Sequence, residues 1–458
     1  MIIAIFLIIS LIFFYFYFFS KKKKFSFDNL LFGLWFLSIG IGQLRLSSLE
    51  QPYSINFWII LSIFFCIFYV TYNFCRKRFL LNADENKLKE TGINLDEKLL
   101  VLIVALMTII SVGVNIYIYI RFGTMPILSS APDKMRFVIN KELFGPIEYL
   151  SFLPRIFIPL AFIYLVTHKE IKKSNKNILI TSIVIGFIIL CLYASRVIII
   201  FPILMCYFSY LIIKIKEINL KQIIISSVIV VSSVIFLSVS IPIFRQYITY
   251  KDYYGSIYNE ETGTLDINAS VAYLLNISKI KLPKQLSVVA PLYIIPSFNL
   301  QTLYHATTYF NSSNFYHGRY LLSISDPFLK LFGIHLFDDI KIQWKDIFLP
   351  WWNTGTFLFD FWADFGYLGI VFAGVFFGII FSILYILGTS KKNLLSTMLF
   401  AYFSFFVIMS IYTNYIRRAE FYLDIFVIAI LQTIFYYYSK NKDKIEQKIY
   451  ALRKNKTK

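Results

Sequence analysis

PWWNTGTFLFDFWADFGYLGIVFAGVFFG, residues 350–378, joins the two kinds of sequence in this 458-residue chain. Before it lies the one long polar segment, which opens at Pro242 with PIFRQYITYKDYYGS and runs for roughly 115 residues. That segment mixes aromatic, glycine, proline and polar residues in globular proportions, and SVVAPLYIIPSFNLQTLYHATTYF within it reads as half-buried. From Phe357 onward the sequence turns apolar. Nearly everything outside the polar segment is apolar runs of about twenty residues, long enough to cross a hydrocarbon core of roughly 30 Å.

Composition agrees. The chain is 58% hydrophobic and only 16% charged, where a soluble domain carries about a quarter charged residues. The alternating ten-residue segments of a β-barrel are missing. The expected fold class is therefore an all-α polytopic membrane protein with about eleven transmembrane helices. The formal net charge of +19 does not call for nucleic acid as a partner, because the lysines sit in short loops between spans. The bilayer itself is the expected partner. Cys66, Cys75, Cys191 and Cys206 lie in or beside apolar spans, with no CxxC spacing, so neither a disulfide nor a metal site is expected. MIIAIFLIISLIFFYFYFFSKKKK carries its charge after the apolar run and lacks a small-residue cleavage site, so it reads as a retained first span.

Apolar windows predict spans at 2–20, 28–46, 55–75, 99–120, 150–167, 177–194, 197–213, 221–241, 357–388, 394–412 and 419–438. The implied organisation is a bundle over 1–241, a loop domain over 242–356, three more spans over 357–438 and a basic tail over 439–458. Loops on one side hold 27 of the 45 lysines and arginines, including Lys21 to Lys24, Arg76 to Arg78, Lys172, Lys173, Lys391 and Lys392. Basic loops stay in the cytoplasm. The expectation is thus an outside N-terminus, a cytoplasmic C-terminus and an extracytoplasmic long loop folded into short helices over the bundle's mouth. A smaller outer loop, RFGTMPILSSAPDKMRFVINKELFGPIEYLSF, is expected to hold a short interfacial helix over 133–141.

Charges near apolar spans are costly and mark candidate sites. Arg196 sits in a tight turn between two spans, and its structural alternative is a snorkelling side chain. Arg245 follows the eighth span, Arg155 opens the fifth, and Arg136 belongs to the smaller loop. Gathered at one face, they would suit an anion, because guanidinium binds phosphate oxygens bidentately and stays charged. His305, His317 and Arg319 lie close together in the long loop, where a histidine could serve as general base. Asp360 and Asp364 are four apart, so one helix face presents both, with Arg196, Arg245 or Arg319 as natural partners. Their structural alternative is dipole stabilisation at a helix N-terminus. Trp351, Trp352 and Trp362 fit an interfacial aromatic belt. Gly366, Gly369, Gly374 and Gly378 read as close helix packing.

The loop RFGTMPILSSAPDKMRF, the turn ASRVIIIFPIL and the stretch NTGTFLFDFWADFGYLGIVFAGVFFG, with one large outer loop late in the chain, resemble the Wzy-type O-antigen or oligosaccharide repeat-unit polymerases. The resemblance is mainly architectural. It implies a GT-C-like fold and an inverting glycosyltransfer at the outer face of the cytoplasmic membrane. The substrate would be oligosaccharide linked to undecaprenyl diphosphate, with no cofactor and no metal, and a chain-length-regulating copolymerase as a further partner. It assigns diphosphate binding to Arg196, Arg245 and the Arg136 loop, and weakly includes Asp360 and Asp364; His305 and His317 rest on chemistry alone. An O-antigen ligase is the nearest alternative. A flippase or transporter of lipid-linked saccharide is another, against which stands the almost pure Ile, Leu, Phe and Val of most span centres.

Overall fold

A computed structural model describes residues 2–20, 24–82, 95–142, 145–168, 170–215, 217–251, 258–259, 264–265, 277–282, 290–310, 314–326, 329, 334–337, 339–340, 342, 344–349, 352, 354–391 and 393–456. Each of the eleven apolar windows coincides with helix. In chain order these are α1 (Ile2–Phe19), α2 (Phe27–Gly42), α3 (Ile55–Asn82), α4 (Glu97–Phe122), the short α5 (Pro132–Glu142) and α6 (Gly145–Ser151), then α7 (Pro154–Thr167), α8 (Lys173–Leu192), α9 (Arg196–Ile213) and α10 (Leu220–Lys251). The polar segment contributes α11 (Ala290–Tyr309) and the single turns α12 (Arg319–Leu322) and α13 (Trp344–Ile347). The chain closes with α14 (Phe357–Ile386), α15 (Leu394–Met409) and α16 (Ala419–Lys456). Among the described residues, strand pairing is limited to a two-residue ladder, Tyr258–Asn259 with Thr264–Leu265, and a bridge between Ser47 and Ile280.

Nine helices among the described residues are long and apolar enough to cross a membrane, α6 and α7 counting together as one. The chain is an all-helical, multi-pass membrane protein. Its perimeter is built from one-sided helices: α1, α4, α8 and α10 expose rows of Ile, Leu, Val and Phe. So large an apolar surface is stable only against lipid. The two remaining apolar helices, α2 and α15, have sixteen residues each and are buried almost all round. They form the centre, where Trp35 of α2 donates its indole N–H to Ser410 Oγ at the end of α15, 3.0 Å away.

Local chemistry sets the helix limits. Asp96 caps α4 by accepting from the N–H groups of Lys98 and Leu99, each at 3.1 Å, and Gly123 closes that helix with φ of 72°. Asn393 and Ser396 form a reciprocal capping box that starts α15. The smaller loop forms its helix at Pro132–Glu142, over the expected stretch. α10 continues through Pro242 to Lys251, so the helix outlasts the expected end of its span.

α14 departs most from expectation. It reads as one span in sequence, but Gly366 (φ 55°, ψ −130°) breaks it in two. Residues 357–364 are buried all round. Beyond the break Leu368 is 77% exposed and the helix faces lipid on one side. The second piece rises about 30 Å, a full hydrocarbon thickness. The first piece is therefore an extra half-helix inserted into protein at one end of the bundle. A Cβ at Gly366 would lie 2.6 Å from the Phe315 ring, and an L-residue is strained at that φ. Further along, Gly374 and Gly378 let α14 approach α3, where added methyls would meet Ile67 at 2.9 Å and Thr71 at 2.8 Å. The close-packing reading of those two glycines holds.

Candidate functional site

The half-helix runs from Phe357 to the break, and α14 ends near Lys24, whose carbonyl accepts from the Tyr385 hydroxyl at 3.3 Å. The bundle therefore has an Asp360 end and a Lys24 end. At the Asp360 end the turn joining α15 to α16, residues 410–418, lies against the half-helix, with Phe357 N–H donating to Ser410 O at 2.8 Å. A 3₁₀ turn, Tyr415–Arg417, sits inside it.

Four arginines from three parts of the chain meet this turn. Arg417 places Nη1 3.6 Å from Asp360 Oδ1, donates from Nη2 to Ser323 Oγ at 3.0 Å, and sits over Tyr320 with 3.5 Å between Cζ and the ring centre. Arg418 lies 5.7 Å from the Tyr415 ring. Arg196, the first residue of α9, lies 5.7 Å from the Tyr412 ring, with a long 3.5 Å contact to Ser238 O. Arg155 donates to Tyr415 Oη at 2.8 Å.

Arg155 is closed off. It is ion-paired with Asp424 in full burial, and Asp424 also accepts from Tyr149 at 3.0 Å and Tyr402 at 2.9 Å. Its guanidinium further covers the Phe201 ring at 4.7 Å. The expectation offers Arg155 to an anion; in the fold the buried carboxylate of Asp424 already occupies its guanidinium.

Arg417 is loosely held. Its 3.6 Å contact with Asp360 is too long for a hydrogen bond, and its Nε is buried without a partner. Burial alone would pull its pKa down, but Asp360 and Tyr320 outweigh that and leave it above the usual guanidinium value. Burial, followed by the Asp360 charge, pushes the Tyr320 phenol well above its ordinary range, so it stays a neutral hydroxyl. Beside Asp360 sits the buried Asn414 amide, without a hydrogen bond of ordinary geometry. Among the described residues, Arg196 pairs with no carboxylate, so the turn gathers positive charge next to the half-helix that carries Asp360.

The other expected residues fall elsewhere. Asp364 is a cap: it accepts from the N–H groups of Tyr320 at 3.0 Å and Leu321 at 2.7 Å, starting α12. Reciprocally, Tyr316 and His317 donate their N–H groups to the carbonyls of Ala363 and Asp364, each at 3.0 Å, ending the half-helix. His317 holds φ of 52° to do so. Thus Asp360 and Asp364 do share a helix, but their partners differ. Arg319, an expected partner of these aspartates, instead pairs with Asp339 at 2.8 Å on an exposed flank. His305 lies on α11, stacked on Phe348 with ring centres 5.0 Å apart, and burial lowers its pKa. It faces Phe348 and Tyr304; the half-helix is touched one residue on, where Ala306 O accepts from Trp362 Nε1 at 3.0 Å. Arg136 and Arg245 are half-buried on α5 and α10, two helices that pack together. Arg245 stands two helical turns, about 10 Å, beyond Ser238, the contact of Arg196. Trp351 lies outside the described residues, while Trp352 and Trp362 bond within the protein.

Sequence reasoning passed over Arg417, Tyr320, Ser323 and Asn414. One signal was present: YTNYIRRAEF sets two adjacent arginines on the side expected to be poor in basic residues. The remaining partners come together only through the break at Gly366, which no local pattern announces. Among the described residues, no group of three or more His, Cys, Asp or Glu could hold a metal ion. The chain matches no protein-family model, no curated protein and no solved structure.

Proposed function

We propose that this chain is a membrane glycosyltransferase that polymerises oligosaccharide repeat units carried on a polyprenyl diphosphate, at the outer face of the cytoplasmic membrane. The observation that carries the reading is the meeting of Arg196, Arg417 and Arg418 on one turn beside Asp360. A lipid diphosphate is a doubly charged leaving group at the membrane edge, and guanidinium groups there stabilise the charge it develops. In the transfer, an acceptor sugar hydroxyl attacks the anomeric carbon of the donor. The bond from that carbon to the phosphate oxygen breaks, the diphosphate departs with the electron pair, and the configuration inverts. Asp360 is the carboxylate set to take the hydroxyl proton. Arg417 holds the leaving diphosphate, and Tyr320 keeps the guanidinium plane fixed. On this reading the Asp360 end faces outward, the fold is GT-C-like, and residues 242–356 cap the site.

The break in α14 also suits a transporter, whose substrates bind where helices are interrupted. Such sites lie near the bilayer midplane, whereas this half-helix precedes a full membrane-length helix. That placement favours the transferase. The test is replacement of Arg417 and Arg196 by alanine in a cell displaying the glycan. Loss of long chains with single repeats remaining supports polymerisation. Lipid-linked polymer that accumulates unattached indicates a ligase instead, and an undisturbed ladder from both variants rejects the proposal.

A further inference from the structure

We infer that the Lys24 end carries a binding site for an acidic phospholipid, independent of the transferase reading. A pocket of about 570 Å³ opens there, lined by Phe18 in the last turn of α1 and Ser20 just after it, by Lys24, by Ile218 and Ile223 at the α9–α10 junction, and by Thr389 just past the end of α14. Its size falls in the range of small-ligand sites, roughly 300–1,000 Å³.

The wall is divided. One part is apolar, from Phe18, Ile218 and Ile223. The other is polar and holds one ammonium group. Lys24 Nζ reaches the carbonyls of Ile215 at 3.5 Å and Ile218 at 3.4 Å, two contacts at the outer limit of hydrogen bonding. An ammonium has three donors, so these contacts leave it able to bind an anion. Behind the pocket, Tyr385 separates Lys24 from Arg76, whose guanidinium lies 5.9 Å from that ring and whose Nε is buried without a partner. The buried carboxylate of Asp28 shares the neighbourhood of Arg76. Lys24 is thus the pocket's own positive charge.

A cation beside an apolar wall at the end of a transmembrane bundle fits one amphiphile best: a phosphodiester headgroup against Lys24 with its acyl chain along Phe18, Ile218 and Ile223. Basic pockets between spans on the cytoplasmic side take acidic lipid headgroups. The lysines at 21–23 precede Lys24 in the sequence, and an acidic leaflet would be drawn to that end in any case. The pocket adds a defined seat for the chain.

The test uses the full-length protein, delipidated in detergent and titrated in native mass spectrometry with phosphatidylglycerol, phosphatidylcholine and inorganic phosphate. The expected result is about a fivefold preference for phosphatidylglycerol over phosphatidylcholine, the worth of one lysine near a membrane surface. Lys24→Gln is expected to abolish the preference, and Ile218→Trp, which fills the pocket but keeps the charge, to reduce retention of the lipid. A photoreactive phosphatidylglycerol on the wild-type protein should label peptides containing residues 18–20, 218–223 or 385–389, which decides the matter even if a variant fails to fold. Equal retention of both lipids, competition by inorganic phosphate at equal concentration, or labelling confined to other peptides overturns the inference.

Discussion

Two arginine–aspartate pairs are brought together by the same short turn, and they are built in opposite ways. Arg155 and Asp424 are sealed: their side chains are 4% and 1% exposed, and two tyrosine hydroxyls complete the bonding of the carboxylate. Arg417 and Asp360 are slack: 25% and 9% exposed and 3.6 Å apart, with the guanidinium over a phenol ring; an unpartnered Nε is common to both arginines and does not separate them. A pair in direct contact, shut from solvent and with its carboxylate fully bonded, gives a substrate no way in. One that is held in place by a ring and a serine, yet short of partners, can accept an anion without first breaking a strong bond. Tyr415 and Arg417 are two residues apart in one 3₁₀ turn, so the sealed pair fixes the position of the slack one.

The largest effect is expected at the sealed pair. Asp424→Ala leaves Arg155 buried and unpaired and is expected to destabilise the protein by about 3–5 kcal/mol. Thermal unfolding in detergent should show a large fall in midpoint, and an unchanged midpoint would remove the structural role assigned here. Next comes the break that brings Asp360 to the turn. Gly366→Ala forces a strained φ and a clash with Phe315, at an expected cost of about 1–3 kcal/mol. Gly113→Ala, where nothing lies within 4 Å of the added methyl, should be neutral or slightly stabilising in the same assay. Equal effects from the two would mean the half-helix is not held as described.

A smaller effect is expected at Asp364. Its alanine variant loses the cap of α12, worth about 0.5–2 kcal/mol, and serine should recover part of that. If Asp364→Ala matched Asp424→Ala in the unfolding assay, the cap would be the wrong description. The smallest effect concerns pH. Burial lowers the His305 pKa, so the folded state resists protonation there. The unfolded chain binds that proton near pH 6.5, so stability should be full above that value and decline as pH falls from it toward the depressed folded pKa. His305→Phe should flatten this slope between pH 7 and 5 in the unfolding midpoint, and an unchanged slope would deny His305 any share in it.

The spans were legible because the bilayer demands about twenty apolar residues for each crossing and short basic loops interrupt them. Arg196 was legible for the same reason, a charge at a tight turn between two apolar runs, where it opens α9. What could not be read was pairing. Asp360 and Asp364 look alike in sequence, four residues apart on one helix, yet one caps a turn of the loop and the other meets an arginine more than fifty residues later. Arg319 stood nearest in the text and faces away. Helix periodicity reports which residues share a face; it does not report which distant loop covers that face. The Gly366 break was hidden too, because a glycine inside an apolar run reads as helix packing, which Gly374 and Gly378 do provide.

The slack pair is tested most directly by Arg417→Lys. Lysine keeps the charge and loses the planar fork that stacks on Tyr320 and binds phosphate oxygens bidentately. The measurement is the displayed glycan ladder in cells carrying this variant, taken with the unfolding midpoint of the purified protein. The expected result is a midpoint close to that of the wild type and loss of chains longer than one repeat. A full ladder from a variant that inserts and unfolds normally would contradict it.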